Sequence, residues 1–195
     1  MKAIIRSFAG NGFSILFFLV LAFGLGSGAG AATRSKTQAP TDAAQYQIWL
    51  TQQVHHKLAM IPWYSVFDNL EYKVEGTKVT LVGQVTRPVI KNEAESSVKA
   101  IEGVKEVENQ IEVLPPSPMD DRLRRQEFRS IYSFGPLQRY SLGVNPAIHV
   151  IVKNGQVTLE GVVANQADKD AANIRAREVP GVFSVTNNLR VEKTS

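Results

Sequence analysis

Cysteine is missing from all 195 residues, tryptophan occurs twice and histidine three times. The lack of cysteine excludes thiol catalysis, thiolate metal sites, disulfides and attachment of lipid to an N-terminal cysteine, so each fold must rely on its apolar core. The histidines do not suggest a metal site. His55 and His56 are neighbours on a predicted helix, so their side chains diverge by about 100°, and neither has a counterpart elsewhere in the chain. His149 falls on the outward register of a predicted strand and is expected at a solvated boundary. No serine sits in a nucleophile-elbow motif, and no glycine loop carrying lysine precedes a helix. Glu102, Glu106, Glu108 and Glu112 fall at a helix end and along an exposed strand face, where solvation explains them. No catalytic residue, metal or cofactor is therefore expected, and the chain is read as non-enzymatic. RNA-binding signatures are absent too: there is no aromatic stacking strand and, beyond the N-terminal stretch, no GxxG loop.

Long apolar runs are lacking except for one, Phe13–Leu25. Lys2 and Arg6 precede it, and the small residues Gly26–Ala32 follow it, which is the layout of a cleaved export signal. The run is shorter than the roughly 20 residues that span a bilayer. Residues 1–32 are accordingly read as a signal peptide and 33–40 as a flexible leader, with the protein expected in the periplasm and a retained anchor the lesser alternative.

What the chain does contain is a repeat. VTLVGQV, from Val79, returns as VTLEGVV from Val157, and GVKEVENQIEV returns as GVFSVTNNLRV, without a gap at a shift of 78 residues. The shared positions include Gly83/Gly161, Lys91/Lys169, Ala94/Ala172, Gly103/Gly181, Val107/Val185 and Asn109/Asn187. They are mostly apolar residues and glycine, a packing pattern rather than a set of reactive groups. The first copy (41–114) holds seven Lys/Arg against ten Asp/Glu, and the second (119–195) eleven against eight. The halves thus differ in sign, which permits mutual docking and gives the second copy the better claim on anionic partners. Pro115–Pro118 is a short stiff linker.

Each copy reads α-β-β-α-β. In the first, a helix over Ala43–Ala59 is followed by alternating strands around Leu70–Val74 and Val79–Val85, with Gly76-Thr77 as the hairpin. A second helix runs over Pro88–Ile101 and a last strand over Val107–Val113. In the second, the elements are Asp121–Ser133, Ala147–Val152, Val157–Val163, Gln166–Val179 and Val185–Val191. Asn154-Gly155 is a strong two-residue hairpin signal, and Asn165 is placed to cap the second helix. The fold class is α+β: two tandem αββαβ domains, each a small three-stranded mixed sheet covered by two helices. Gly83 and Gly161 inside strands are read as sites of close approach by a covering helix, or as bulges, rather than as ligand contacts. Gly103 and Gly181 close the helices.

The pattern VTL-x-G-x-V, a helix with a central alanine, and GV-x-x-V-x-N-x-[IL]-x-V resembles the BON domain, found in tandem in OsmY-like periplasmic proteins and DolP-like outer-membrane lipoproteins. The resemblance covers nearly all of the chain beyond the leader. It implies a non-enzymatic envelope protein that binds membrane phospholipid or protein partners. Arg87-Pro88 departs from it, since a small capping residue is usual there. The missing cysteine places the chain nearer the soluble branch.

The most suggestive surface is the first helix of the second copy. Arg122, Arg125 and Arg129 share one face, with Arg124 beside them. Phe128, Ile131 and Tyr132 lie on another, and Phe134, Leu137, Arg139 and Tyr140 follow in a loop. Arg122, Arg124, Arg125, Arg129, Tyr132, Phe134 and Arg139 are the candidate contacts for anionic phospholipid, as peripheral rather than integral membrane binding. In the lipoprotein branch, the resemblance implies, the corresponding helix touches anionic lipid. Two other readings stay open: a solvated arginine face over core aromatics, and docking of the arginines onto the acidic first copy. Ile151 and Val162 are apolar on the outward register, so the second sheet is expected to be covered by the other copy or by a protein partner. The functional expectation is an exported protein that binds anionic phospholipid through its second domain and supports the envelope under stress. The alternative is a periplasmic adaptor or chaperone using exposed sheet faces.

Overall fold

The structure is a computed structural model that describes residues 6–7, 39, 42–143 and 145–192. Apart from residues 6–7 and 39, the expected signal peptide and leader lie outside the described residues. Arg6–Ser7 forms a short strand, β1, parallel to Glu71–Tyr72. The signal-peptide reading does not anticipate this strand. It lies on the outer edge of the next strand, whose unpaired backbone groups accept any extended segment.

In the first domain, Asp42 caps α1 (Ala43–Ala59) by accepting from the Gln45 N–H, and Leu50, Val54 and Leu58 bury one face of that helix. β2 (Asn69–Glu75) and β3 (Lys78–Val85) form an antiparallel hairpin. α2 (Pro88–Lys99) starts on proline at its first turn, where a missing N–H goes unnoticed. Arg87 stands at its N-cap without a side-chain bond. β4 (Glu106–Asn109) and β5 (Glu112–Val113) run parallel to β3.

The second domain repeats the order: α3 (Pro118–Tyr132), β6 (Ile148–Lys153), β7 (Gln156–Val163), α5 (Gln166–Arg177), β8 (Ser184–Asn187) and β9 (Arg190–Val191). β6 and β7 are antiparallel, and β8 and β9 lie parallel to β7. The stretch expected as a loop contains a one-turn helix, α4 (Gly135–Gln138), and a 3₁₀ turn over Arg139–Ser141. Each domain has its own core, one around Leu50, Leu81 and Ile90 and the other around Ile131, Val150 and Leu159.

The last strand of each copy, expected as one piece, is two. Asn109 Oδ1 accepts from the Ile111 N–H at 3.2 Å, and Asn187 Oδ1 accepts from Leu189 N–H at 3.1 Å. This side-chain-to-backbone turn replaces a ladder bond and rotates Ile111 and Leu189 into the two cores, where both are buried. The same amides donate to the Lys91 and Lys169 carbonyls at 3.1 and 2.9 Å. The repeated pair Asn109/Asn187 is thereby explained as a folding contact; the bonds use only the backbone of Lys91 and Lys169.

Gly83 and Gly161 are tight for a different reason from the one expected. An added Cβ would lie 2.1 Å from the Asn69 or Ala147 carbonyl oxygen of the paired strand, so a neighbouring strand, not a covering helix, demands glycine.

The domains touch through the segment before β2. The Val66 carbonyl accepts from the Val150 N–H on the edge of β6 at 2.8 Å, and Val66 and Phe67 pack into the second core. The Phe67 ring meets Phe128 edge-on at 6.3 Å, and Tyr64 lies 5.5 Å from His149. Lys153 pairs with Glu112 at 2.5 Å, and the Asn145 amide donates to the Ala59 carbonyl at 3.1 Å. His149 does face away from its own core, but the first domain covers it and it is buried, not solvated. Burial lowers its pKa, partly opposed by the Ser65 and Asp68 backbone groups.

Asp68 holds this segment in shape. Its buried carboxylate accepts from Ser65 N and Oγ at 2.9 and 2.6 Å, and from Thr86 N and Oγ1 at 2.6 and 2.8 Å. Asp68→Ala leaves four donors unsatisfied, so a loss of about 3 kcal/mol is expected in urea unfolding. Proteolytic nicking near Val66 should rise with it.

Candidate anionic interface on the second domain

α3 is a helix because a good cap starts it and two faces of different chemistry run along it. Ser117 Oγ accepts from the Asp120 N–H at 3.2 Å, Pro118 occupies the first turn, and Asp120 and Asp121 suit the positive end of the dipole. Asp120 then reaches the β6–β7 turn, accepting from Asn154 N at 2.9 Å and Gly155 N at 2.8 Å. This ties the helix to the hairpin and fixes which face looks outward.

On that outward face Arg122, Arg125 and Arg129 are exposed, and none forms an ion pair among the described residues. Phe128, on the same helix, and Phe134, just past its end, are each 39% exposed, and the Phe128 ring lies 4.9 Å from that of Tyr132. Arg175 lies over the Phe134 ring at 5.9 Å and pairs with Glu178 at 2.6 Å. A row of exposed guanidinium groups on a helix that also carries half-open aromatic rings can attract an anionic surface and insert shallowly into it.

The other candidates lie elsewhere. Arg124 is buried: it bonds Asp121 at 2.5 Å and the Val152 carbonyl at 2.7 Å, so it braces α3 against β6. Tyr132 is also buried, donating to the Ile148 carbonyl at 2.5 Å, and burial raises its hydroxyl pKa. Both fall on the inner side because α3 packs on β6 and α5 together, which widens its buried face beyond one stripe. Arg139 is partly exposed but committed: it pairs with Asp168 and stacks on Tyr140 at 5.0 Å. Tyr140 in turn donates to Asp168 at 2.5 Å and accepts from Ala164 N–H at 2.8 Å. Arg122, Arg125 and Arg129 form an exposed row on α3, Phe128 lies on the same helix and Phe134 just past its end, and Arg124, Tyr132 and Arg139 lie outside that row.

Ile151 is buried and Val162 half-buried, so Ile151 is not open to an outside partner. Among the described residues no group of three His, Asp or Glu is placed to hold a metal ion. No described helix is long and apolar enough to cross a membrane.

Three features escaped the sequence. Glu127 is fully buried on α3 with neither carboxylate oxygen bonded, and burial pushes its pKa up to about 8. Trp63 is 69% exposed at φ 69°, a left-handed conformation rare for a bulky residue. Arg87, noted only as an odd helix start, places its guanidinium 5.5 Å from the Trp63 ring. Glu127 sits at i+4 between Leu123 and Ile131, so its break in that apolar stripe was the one signal available, while Trp63 and Arg87 gave none.

Residues 49–115 and 140–193 match the family model of the BON domain. No curated protein matches the chain. Among solved structures it is similar to CdsD, a structural protein of the type III secretion system of Chlamydia trachomatis. That similarity has 12% identity, covers 74% of this chain and 93% of the other, and has a TM-score of 0.31. A second similar structure is the C-terminal domain of CdsD, at 14% identity, 75% and 99% coverage and a TM-score of 0.27. The residues matched to the BON model stop at 115 and resume at 140, so α3 lies outside them.

Proposed function

The chain belongs to the BON domain family, and from that premise we propose that its second domain docks peripherally on anionic phospholipid surfaces in the periplasm, supporting the envelope under stress. BON domains are associated with membrane- and phospholipid-related envelope proteins and are in general non-catalytic. The observation that carries the reading is the outward row Arg122, Arg125 and Arg129, exposed and without an ion pair among the described residues, with the part-exposed Phe128 on the same helix and Phe134 just past its end. The corresponding helix of the first domain, α1, carries no arginine, and its outward face presents Gln45, Ile48, Gln52 and His56. Each basic side chain near an anionic surface contributes about 1 kcal/mol, so three give weak, reversible, salt-sensitive attachment.

Co-sedimentation with phosphatidylglycerol-containing and neutral vesicles tests this. The wild type is expected to bind only the anionic vesicles and to be released by salt. Changing Arg122, Arg125 and Arg129 together to Ala should weaken binding roughly 100-fold, following from about 1 kcal/mol apiece. Equal binding to both vesicle types would remove the proposal.

A further inference from the structure

The domains leave a cleft between them beside the proline linker, of about 610 Å³, within the usual range for small-ligand sites. Its wall mixes charged and apolar side chains. Arg87 comes from the first domain, Arg124 and Arg125 come from α3, and Trp63, Phe67 and Leu114 supply apolar surface. The only acidic side chain in the lining, Asp121, is already bonded to Arg124. One further observation marks the cleft as more than a gap between folds. Trp63 is held in a left-handed conformation that exposes its ring at the cleft beside Arg87, and such strain persists only where the surroundings enforce it.

We propose that this cleft is a binding site for a phosphate ester, gripped by Arg87 and Arg125 from opposite domains, with the ester's carbon portion against Trp63 and Phe67. Guanidinium groups match the several acceptor oxygens of a phosphate, and the flat apolar wall suits an organic substituent rather than inorganic phosphate alone. The site goes beyond the membrane-surface reading and does not rest on it. It shares Arg125 with that surface but requires the first domain, which surface docking does not.

The test uses the exported chain carrying Trp49→Phe, so that Trp63 alone reports by fluorescence. It is titrated with glycerol 3-phosphate and, separately, with monomeric dihexanoyl phosphatidylglycerol. Saturable change with both assigns a free phosphate ester as sufficient. Saturable change with the lipid alone assigns the headgroup together with its chains. In either case Arg87→Gln and Arg125→Gln are each expected to raise Kd at least tenfold, and Arg129→Gln, which lies outside the cleft, is expected to leave it unchanged. Arg129→Gln should still weaken vesicle co-sedimentation, so failure of the cleft and failure of the surface are separable. No saturable response to either ligand overturns the proposal. So does an unchanged Kd in Arg87→Gln, with circular dichroism showing the variant folded, or equally tight binding of glycerate, a carboxylate of similar size.

Discussion

Gly161→Ala is expected to unfold the second domain at temperatures where the wild type is native. Gly161 has φ 126°, a conformation that only glycine adopts readily, and its Cβ would sit 2.1 Å from the Ala147 carbonyl oxygen. That atom is backbone of the segment leading into β6 and cannot swing aside. Ala147 O also accepts from Val162 N–H at 3.1 Å, so relieving the clash breaks the pairing that closes the hairpin. Backbone strain of about 1–3 kcal/mol adds to the steric and hydrogen-bond losses, for a total near 5 kcal/mol, at the exceptional end for one substitution. For a domain this small, that corresponds to a fall in melting temperature of at least ~20 °C. Gly83→Ala should do the same to the first domain, where the Asn69 carbonyl stands in the same place. Gly76→Ala is the control. Its φ is 60° but nothing lies within 4 Å of the added Cβ, so about 1 kcal/mol is expected from the backbone alone. Equal effects at Gly76 and Gly161 would show that conformational strain, not close approach, explains the repeated glycines.

Glu127→Gln is expected to stabilise the protein at neutral pH and to do nothing in acid. The Glu127 carboxyl is buried without a hydrogen-bond partner, and burial pushes its pKa from an ordinary 4.5 up to about 8. The folded state therefore binds the proton more tightly than the unfolded chain does. Its contribution is favourable below pH 4.5 and is lost as pH rises to about 8, at up to ~1.4 kcal/mol per pH unit. Allowing for partial solvation of the ionised group, the net loss by pH 8 is on the order of 2–4 kcal/mol. Urea unfolding of both proteins across pH measures it. The difference in their stability should be near zero at pH 4, grow steadily, and level off above pH 8. A difference independent of pH would mean that Glu127 is solvated or paired when ionised. Comparing the two proteins removes the other carboxylates, such as Glu95 and Glu108. Those are held low by hydrogen bonds from Lys99 and Lys78 respectively and titrate alike in both.

Much of the architecture was legible because its determinants are local. Helix α1 keeps the expected bounds, since Asp42 and Pro62 bracket a clear apolar stripe. Asn165 caps α5 as read, accepting from Asp168 N–H at 2.8 Å. The turn at Asn154-Gly155 has φ values of 53° and 74°, as an Asn-Gly hairpin requires. What periodicity could not show are contacts made across the domain boundary. The register of His149 was right, but only the fold brings Tyr64 over it. Arg124 and Tyr132 looked like surface candidates because a helical wheel does not reveal how many neighbours a helix has, and α3 packs against β6, α5 and α4. The break in each final strand was hidden for a related reason. Asn109 and Asn187 look like polar members of an alternating strand, and their bonds to Lys91 and Lys169 span the intervening helix.

The central claim is that the residues shared by the two copies serve folding, and that recognition belongs to a helix on which the copies have diverged. The absence of cysteine allows a direct measurement, because any cysteine introduced is unique. Ser133→Cys, exposed at the end of α3, and Gln52→Cys, exposed on α1, each carry a polarity-sensitive dye. On addition of phosphatidylglycerol vesicles, a blue shift is predicted at position 133 and none at position 52. A shift at both positions, or at position 52 alone, would contradict the account.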